Sequence, residues 1–84
     1  MESMIPYSQE AEVSILGGLF LNPSGLAAVK TRLSPEDFYL TETAELYRAM
    51  LDVGMDVVVL TDHLRKTDKL ELVGGVDGIG TIIS

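Results

Sequence analysis

The chain has 84 residues, 46% of them hydrophobic, which is enough for one small folded domain and too apolar for a disordered segment. It contains no cysteine, which excludes disulfides and thiolate metal sites. Net charge is −7, and the six basic residues (Lys30, Arg32, Arg48, Arg65, Lys66 and Lys69) form no basic stripe of the kind that neutralises phosphates, which argues against nucleic-acid binding.

Positions 1–5 read as a loose leader. A helix is predicted over 9–21, with Ser8 as its N-cap and with Glu10 and Glu12 near the positive end of its dipole. Ala11, Ile15 and Leu19 repeat every fourth residue, and Leu16 and Phe20 make a second row beside them, giving a broad apolar stripe. Gly17 and Gly18 lie inside this stripe, each costing about 1 kcal/mol relative to alanine. Because the period continues through Leu19 and Phe20, the reading is an unbroken helix whose missing side chains let another backbone approach. No run reaches the roughly 20 apolar residues of a membrane span. Acidic residues precede the first apolar run, so it is not a signal peptide.

Asn22-Pro23 is a restart signal, with Asn as N-cap and Pro at the first helical position. The helix it opens is predicted over 23–32, with Leu26, Val29 and Leu33 inward and Lys30 and Arg32 suiting the dipole in the last turn. Ser34-Pro35-Glu36-Asp37 opens a short turn that delivers Phe38 and Tyr39 to the core. Thr41 or Thr43 caps the next helix, which runs to 53 with Leu46, Ala49, Met50 and Val53 inward and Tyr47 beside them. Arg48 is within reach of Glu45 or Asp52.

The run Val57-Val58-Val59-Leu60 has the highest strand propensity in the chain, but there is no second strand to satisfy its backbone. With Asp56 as cap, a helix is predicted over 57–67, with Val57, Leu60, Leu64 and also Val58 turned inward. Leu70 to Val73 is a short apolar segment that Gly74-Gly75 ends or redirects. Two readings are open for the remainder, a final helix weakened by Gly78 and Gly80 or a frayed end. The closing Ile82-Ile83-Ser84 has no polar tail and reads as a cut within a longer chain. The predicted fold is all-α, a small multi-helix domain over 1–84.

No catalytic, cofactor or metal residue is assigned. The glycine run from Gly75 to Gly80 is not G-x-G-x-x-G, and no phosphate loop occurs. His63 is the only histidine and reads as a helical surface residue, since a metal site needs several converging ligands. Glu10/Glu12 and Glu36/Asp37 sit at helix starts for dipole reasons, and Ser8, Ser14 and Ser34 have no histidine to activate them. Phe38, Tyr39 and Tyr47 read as core anchors, because base stacking would need basic neighbours.

Several motifs carry a family resemblance. Pro6, Glu10-Ala11-Glu12, Ile15-Leu16-Gly17-Gly18-Leu19-Phe20-Leu21 and Asn22 are similar to the opening of the N-terminal domain of DnaB-type replicative DNA helicases. Leu33 to Tyr39 resembles that family's L-x-P-x-D-F-Y, and Leu46 to Leu51 its I-(F/Y)-x-A-(I/M)-L. Asp56 to Leu64 resembles D-x-V-T-(L/V)-x-x-x-L, with Val59 where threonine is usual, and Leu70 to Gly75 resembles L-x-x-(V/I)-G-G. Two departures stand out. Between Leu51 and Asp56 only 52–55 remain of a longer polar turn, which implies a shortened loop or helix end. Gly78-Ile79 replaces an aromatic-aliphatic pair, which implies a poorly formed last helix.

The resemblance implies a helical, non-catalytic head that joins a collar on a hexameric helicase ring and contacts primase and the helicase loader. It implies no cofactor in this piece, with ATP and magnesium held by an ATPase domain elsewhere in the parent helicase. The helical hairpin that follows the head is also missing, so self-association of this piece is expected to be weak. The implied setting is the bacterial cytoplasm, in a bacterial or phage primosome, without direct DNA or membrane binding. Met50, Val53 and Met55, near the shortened loop, are candidate partner contacts, with ordinary core as the other reading of the same residues. A helix-turn-helix DNA-binding module and the helicase-binding domain of a primase are the alternatives.

Overall fold

Asn22-Pro23, Pro35 and Gly54 break the chain into short helical segments, while the glycines of the first and last helices lie inside them. The computed structural model describes residues 9–83. The helices are α1 (Gln9–Leu21), α2 (Leu26–Val29), α3 (Thr41–Val53), α4 (Val57–Lys66) and α5 (Gly75–Ile83), with 3-10 turns at Pro23–Gly25, Pro35–Asp37 and Glu71–Val73. No strand occurs among the described residues, in agreement with the all-α expectation. Ser8 and the leader lie outside the described residues.

The helix α1 runs unbroken through Gly17 and Gly18. A Cβ on Gly17 would stand 2.9 Å from the backbone oxygen of Ile82, whereas one on Gly18 would meet open space. Gly17 is therefore the point of close approach between α1 and α5. The inward face differs from the expected one. Leu16 and Leu19 are buried together with Glu12, while Ala11 and Ile15 lie outside. Packing α5 on Gly17 turns the row 12–16–19 toward the core and the row 11–15 away from it.

The chain then bends by 115° between Glu10–Leu21 and Pro23–Val29. Asn22 makes no side-chain cap; its carboxamide oxygen accepts from the Ser24 hydroxyl at 2.9 Å. The predicted second helix shrinks to a 3-10 turn and four residues of α2. At its end the Thr31 hydroxyl donates to the Ala28 carbonyl at 2.7 Å, a local bond that competes with the helical ladder. Leu26, Val29 and Leu33 still pack against the core as expected.

In the Pro35–Asp37 turn, the Asp37 carboxylate accepts from the Ser34 amide at 2.8 Å and from its hydroxyl at 3.3 Å. Phe38 enters the core, but Tyr39 is 64% exposed and is not the core anchor predicted. The backbone is extended at Phe38 and Leu40, and successive side chains of an extended chain point to opposite sides.

The central element is α3, which touches α1, α4 and the turns at Pro35–Asp37 and Glu71–Val73. It buries Leu46, Tyr47, Ala49 and Met50. The Tyr47 ring lies 5.0 Å from that of Phe38, tilted by 38°, and its hydroxyl donates to the Leu33 carbonyl at 2.8 Å. Burial, aided by the nearby Asp37 charge, pushes the Tyr47 hydroxyl above its ordinary pKa. Arg48 pairs with Glu45 and also with Glu36, each at 3.8 Å, while Asp52 faces His63 instead.

In α4, the Asp56 carboxylate accepts from the amides of Val58 and Val59 at 2.9 and 3.3 Å, so the β-branched run forms helix as predicted. Leu60 and Leu64 are buried. The last segment is a helix, so neither a frayed end nor a poorly formed one is correct. In α5, Ile79 and Ile82 are buried. Any Cβ on Gly78 would collide with the Val73 carbonyl, so this glycine is what lets α5 pack on the preceding turn.

Candidate interaction surface

Two features of this fold go beyond core packing. The first is Glu12, a buried carboxylate on α1 that caps a different helix. It accepts from the amides of Tyr39 at 2.8 Å and Leu40 at 3.2 Å, and from the Thr43 hydroxyl at 2.5 Å. Leu40 is the N-cap residue of α3 and offers no side-chain cap, so neither Thr41 nor Thr43 caps α3 as expected. Thr43 sits inside the first turn and supports the carboxylate that does. Burial acts to raise the Glu12 pKa, but the bonds from Thr43, Tyr39 and Leu40 outweigh it and hold it below the ordinary value. In the sequence alone Glu12 reads as a dipole residue of its own helix. The available signal was a leucine, Leu40, where α3 needed a cap.

The second feature is the corner between α3 and α4. The connection is only Gly54, Met55 and Asp56. Beyond it, Val57, Val58 and Val59 are 38%, 77% and 44% exposed. With Thr61, Asp62 and Arg65 they line a shallow open groove. Val57 and Val58 are thus not the inward residues that the sequence predicts. The buried pair Leu60 and Leu64 sets the inward side of α4, and Val58 and Val59 fall outside that i, i+4 row. Asp62 is held by Lys66 at 3.0 Å and by Arg65 at 3.7 Å.

Of the three predicted contact residues, Met50 is fully buried and offers no surface, while Val53 and Met55 are half-buried against the core at this corner. His63 Nε2 lies 3.6 Å from an Asp52 carboxylate oxygen across α3 and α4. Among the described residues no group of three His, Asp or Glu is placed to hold a metal ion. No single described helix is long and apolar enough to cross a membrane.

This architecture is that of a small all-α domain with its helices arranged around α3. A sequence model described as the DnaB-like helicase N terminal domain matches residues 4–84, and the chain belongs to that family. It is 42% identical over 76 residues to the replicative DNA helicase DnaC of Bacillus subtilis (strain 168), covering 84% of this chain and 17% of that protein. It is 39% identical over 80 residues to the replicative DNA helicase DnaB of Geobacillus stearothermophilus, covering 89% of this chain and 18% of that protein. The crystal structure of the N-terminal domain of DnaB helicase from Mycobacterium tuberculosis superposes with a TM-score of 0.83 at 33% identity, over 95% of this chain and 59% of that one. The chain therefore spans less than a fifth of the length of these two curated relatives.

Proposed function

We propose that this chain is a non-catalytic assembly domain of a replicative DNA helicase. In this reading it forms part of the N-terminal collar of a hexameric ring and contacts primase or the helicase loader during DNA replication. ATP and magnesium belong to the ATPase domain of the whole helicase, and this domain itself takes no cofactor. The setting is the bacterial cytoplasm, on a bacterial or phage replisome. Family membership supports the reading, and the observation that carries it is the exposed valine face of α4 beside Met55. An ordered helix that presents adjacent large apolar side chains to water is suited to covering by another protein.

A DNA-binding module is less well supported. Four of the six basic residues, Arg48, Arg65, Lys66 and Lys69, already face carboxylates at 3.0 to 3.8 Å. The helicase-binding domain of a primase has no support either, since the relatives described above are helicases.

The test is titration calorimetry of the domain with a bacterial primase, comparing the natural chain with Val58→Asp. Contact through the α4 face predicts an affinity loss of about tenfold or more. Undiminished binding by the variant would remove α4 from the interface. Binding to DNA but not to primase would overturn the reading.

A further inference from the structure

Glu12 is only 6% exposed, and it accepts from the amides of Tyr39 and Leu40 and from the Thr43 hydroxyl, all within 39–43, the segment that leads into and begins α3. The other charged residues lining the cavities beside Glu12 and beside Thr43 are acidic. Asp37, on the Pro35–Asp37 turn, lines one small cavity with Glu12 and Phe38, and Glu42 lines a neighbouring cavity with Thr43, Val13 and Ile82 of α5. No basic residue lines either cavity. Among the described residues Glu12 has no ion pair, so hydrogen bonds to 39–43 are what keep the anion buried. The rest of α3 is anchored separately, through Leu46, Tyr47 and Met50 in the core.

We propose that Glu12 is a charge-gated latch. While ionised it holds 39–43 as the start of α3 against α1, and when neutral it releases that segment while the remainder of α3 stays packed. A neutral carboxyl is a weaker acceptor for two amides and a hydroxyl at once, and the apolar side chain of Leu40 cannot replace it. The folded pKa lies below the ordinary 4.5, so the latch is fully engaged above that value and is lost as pH falls through the folded one. A substitution that removes the charge should produce the same opening near neutral pH.

The test is residue-resolved amide hydrogen exchange on the natural chain, Glu12→Gln and Thr43→Val at about pH 6. The latch predicts exchange at Tyr39 and Leu40 faster by about tenfold or more in Glu12→Gln, with a smaller rise in Thr43→Val and little change at Met50 and Gly54. Equal acceleration along all of α3, or none at Tyr39 and Leu40, would overturn it. Should Glu12→Gln not fold, acid titration of the natural chain decides. Amide resonances of Tyr39 and Leu40 must then shift before the core unfolds, and a single concerted transition would refute the latch.

Discussion

Adjacent residues of one type can have opposite roles, as Gly17 and Gly18 do. Gly17 faces a backbone carbonyl that a methyl group would have to displace, and Gly18 faces open space. Gly17→Ala should therefore destabilise the domain by about 1–3 kcal/mol. Gly18→Ala should stabilise it by about 1 kcal/mol through helix propensity alone. Urea denaturation of the two variants checks both signs. Tyr47→Phe is expected to cost about 1 kcal/mol, because the partly buried Leu33 carbonyl loses its donor. The glycine pair was legible in the sequence as an oddity, and a close approach was the reading it prompted. Which glycine takes the contact was not legible, because that depends on where α5 lands. Glu12 shows the same limit, since a carboxylate near its own helix start looks alike whether it serves that helix or another.

Between residues and the whole lie the helices, and here local signals and packing disagree in instructive ways. Val57 to Leu60 would be strand by propensity. A cap at Asp56 and the absence of a partner strand among the described residues make it helix. Asp56→Ala should cost about 1 kcal/mol, read as a lower thermal midpoint with a loss of helical circular dichroism. The ends of α1 and α3 and the start of α4 were legible because Asn22-Pro23, Gly54 and Asp56 mark them, whereas the start of α3 was not, because its cap is Glu12 on another helix. The short α2 was not legible, because it opens as a 3-10 turn and at its end the amides of Thr31 and Arg32 bond three residues back, to Ala28 and Val29, in place of continuing the ladder. The fate of α5 could not be read either. Its glycines weaken it as an isolated helix, yet burying Ile79 and Ile82 and packing Gly78 against Val73 hold it in place. Gly78→Ala should cost about 2 kcal/mol or more, with its chemical-shift changes concentrated in 73–83.

For the molecule as a whole, charge and surface matter more than any single contact. A chain at −7 should show no measurable affinity for single- or double-stranded DNA by fluorescence anisotropy, even at low salt where phosphate attraction is strongest. Val58→Asp should leave stability within about 0.5 kcal/mol, because that side chain already faces water, so any effect on partner binding would report the surface itself. The all-α class, the span of α1, the cap of α4 and the family could be read from residue order alone, because periodicity, capping residues and motif spacing are local properties of a chain. The side of α1 that faces inward, the displacement of Tyr39 and the valines of α4 to the surface, and the capping of α3 by Glu12 were decided only in three dimensions. Each depends on what lies across a gap of many residues, and the local pattern has no record of that neighbour until the helices pack.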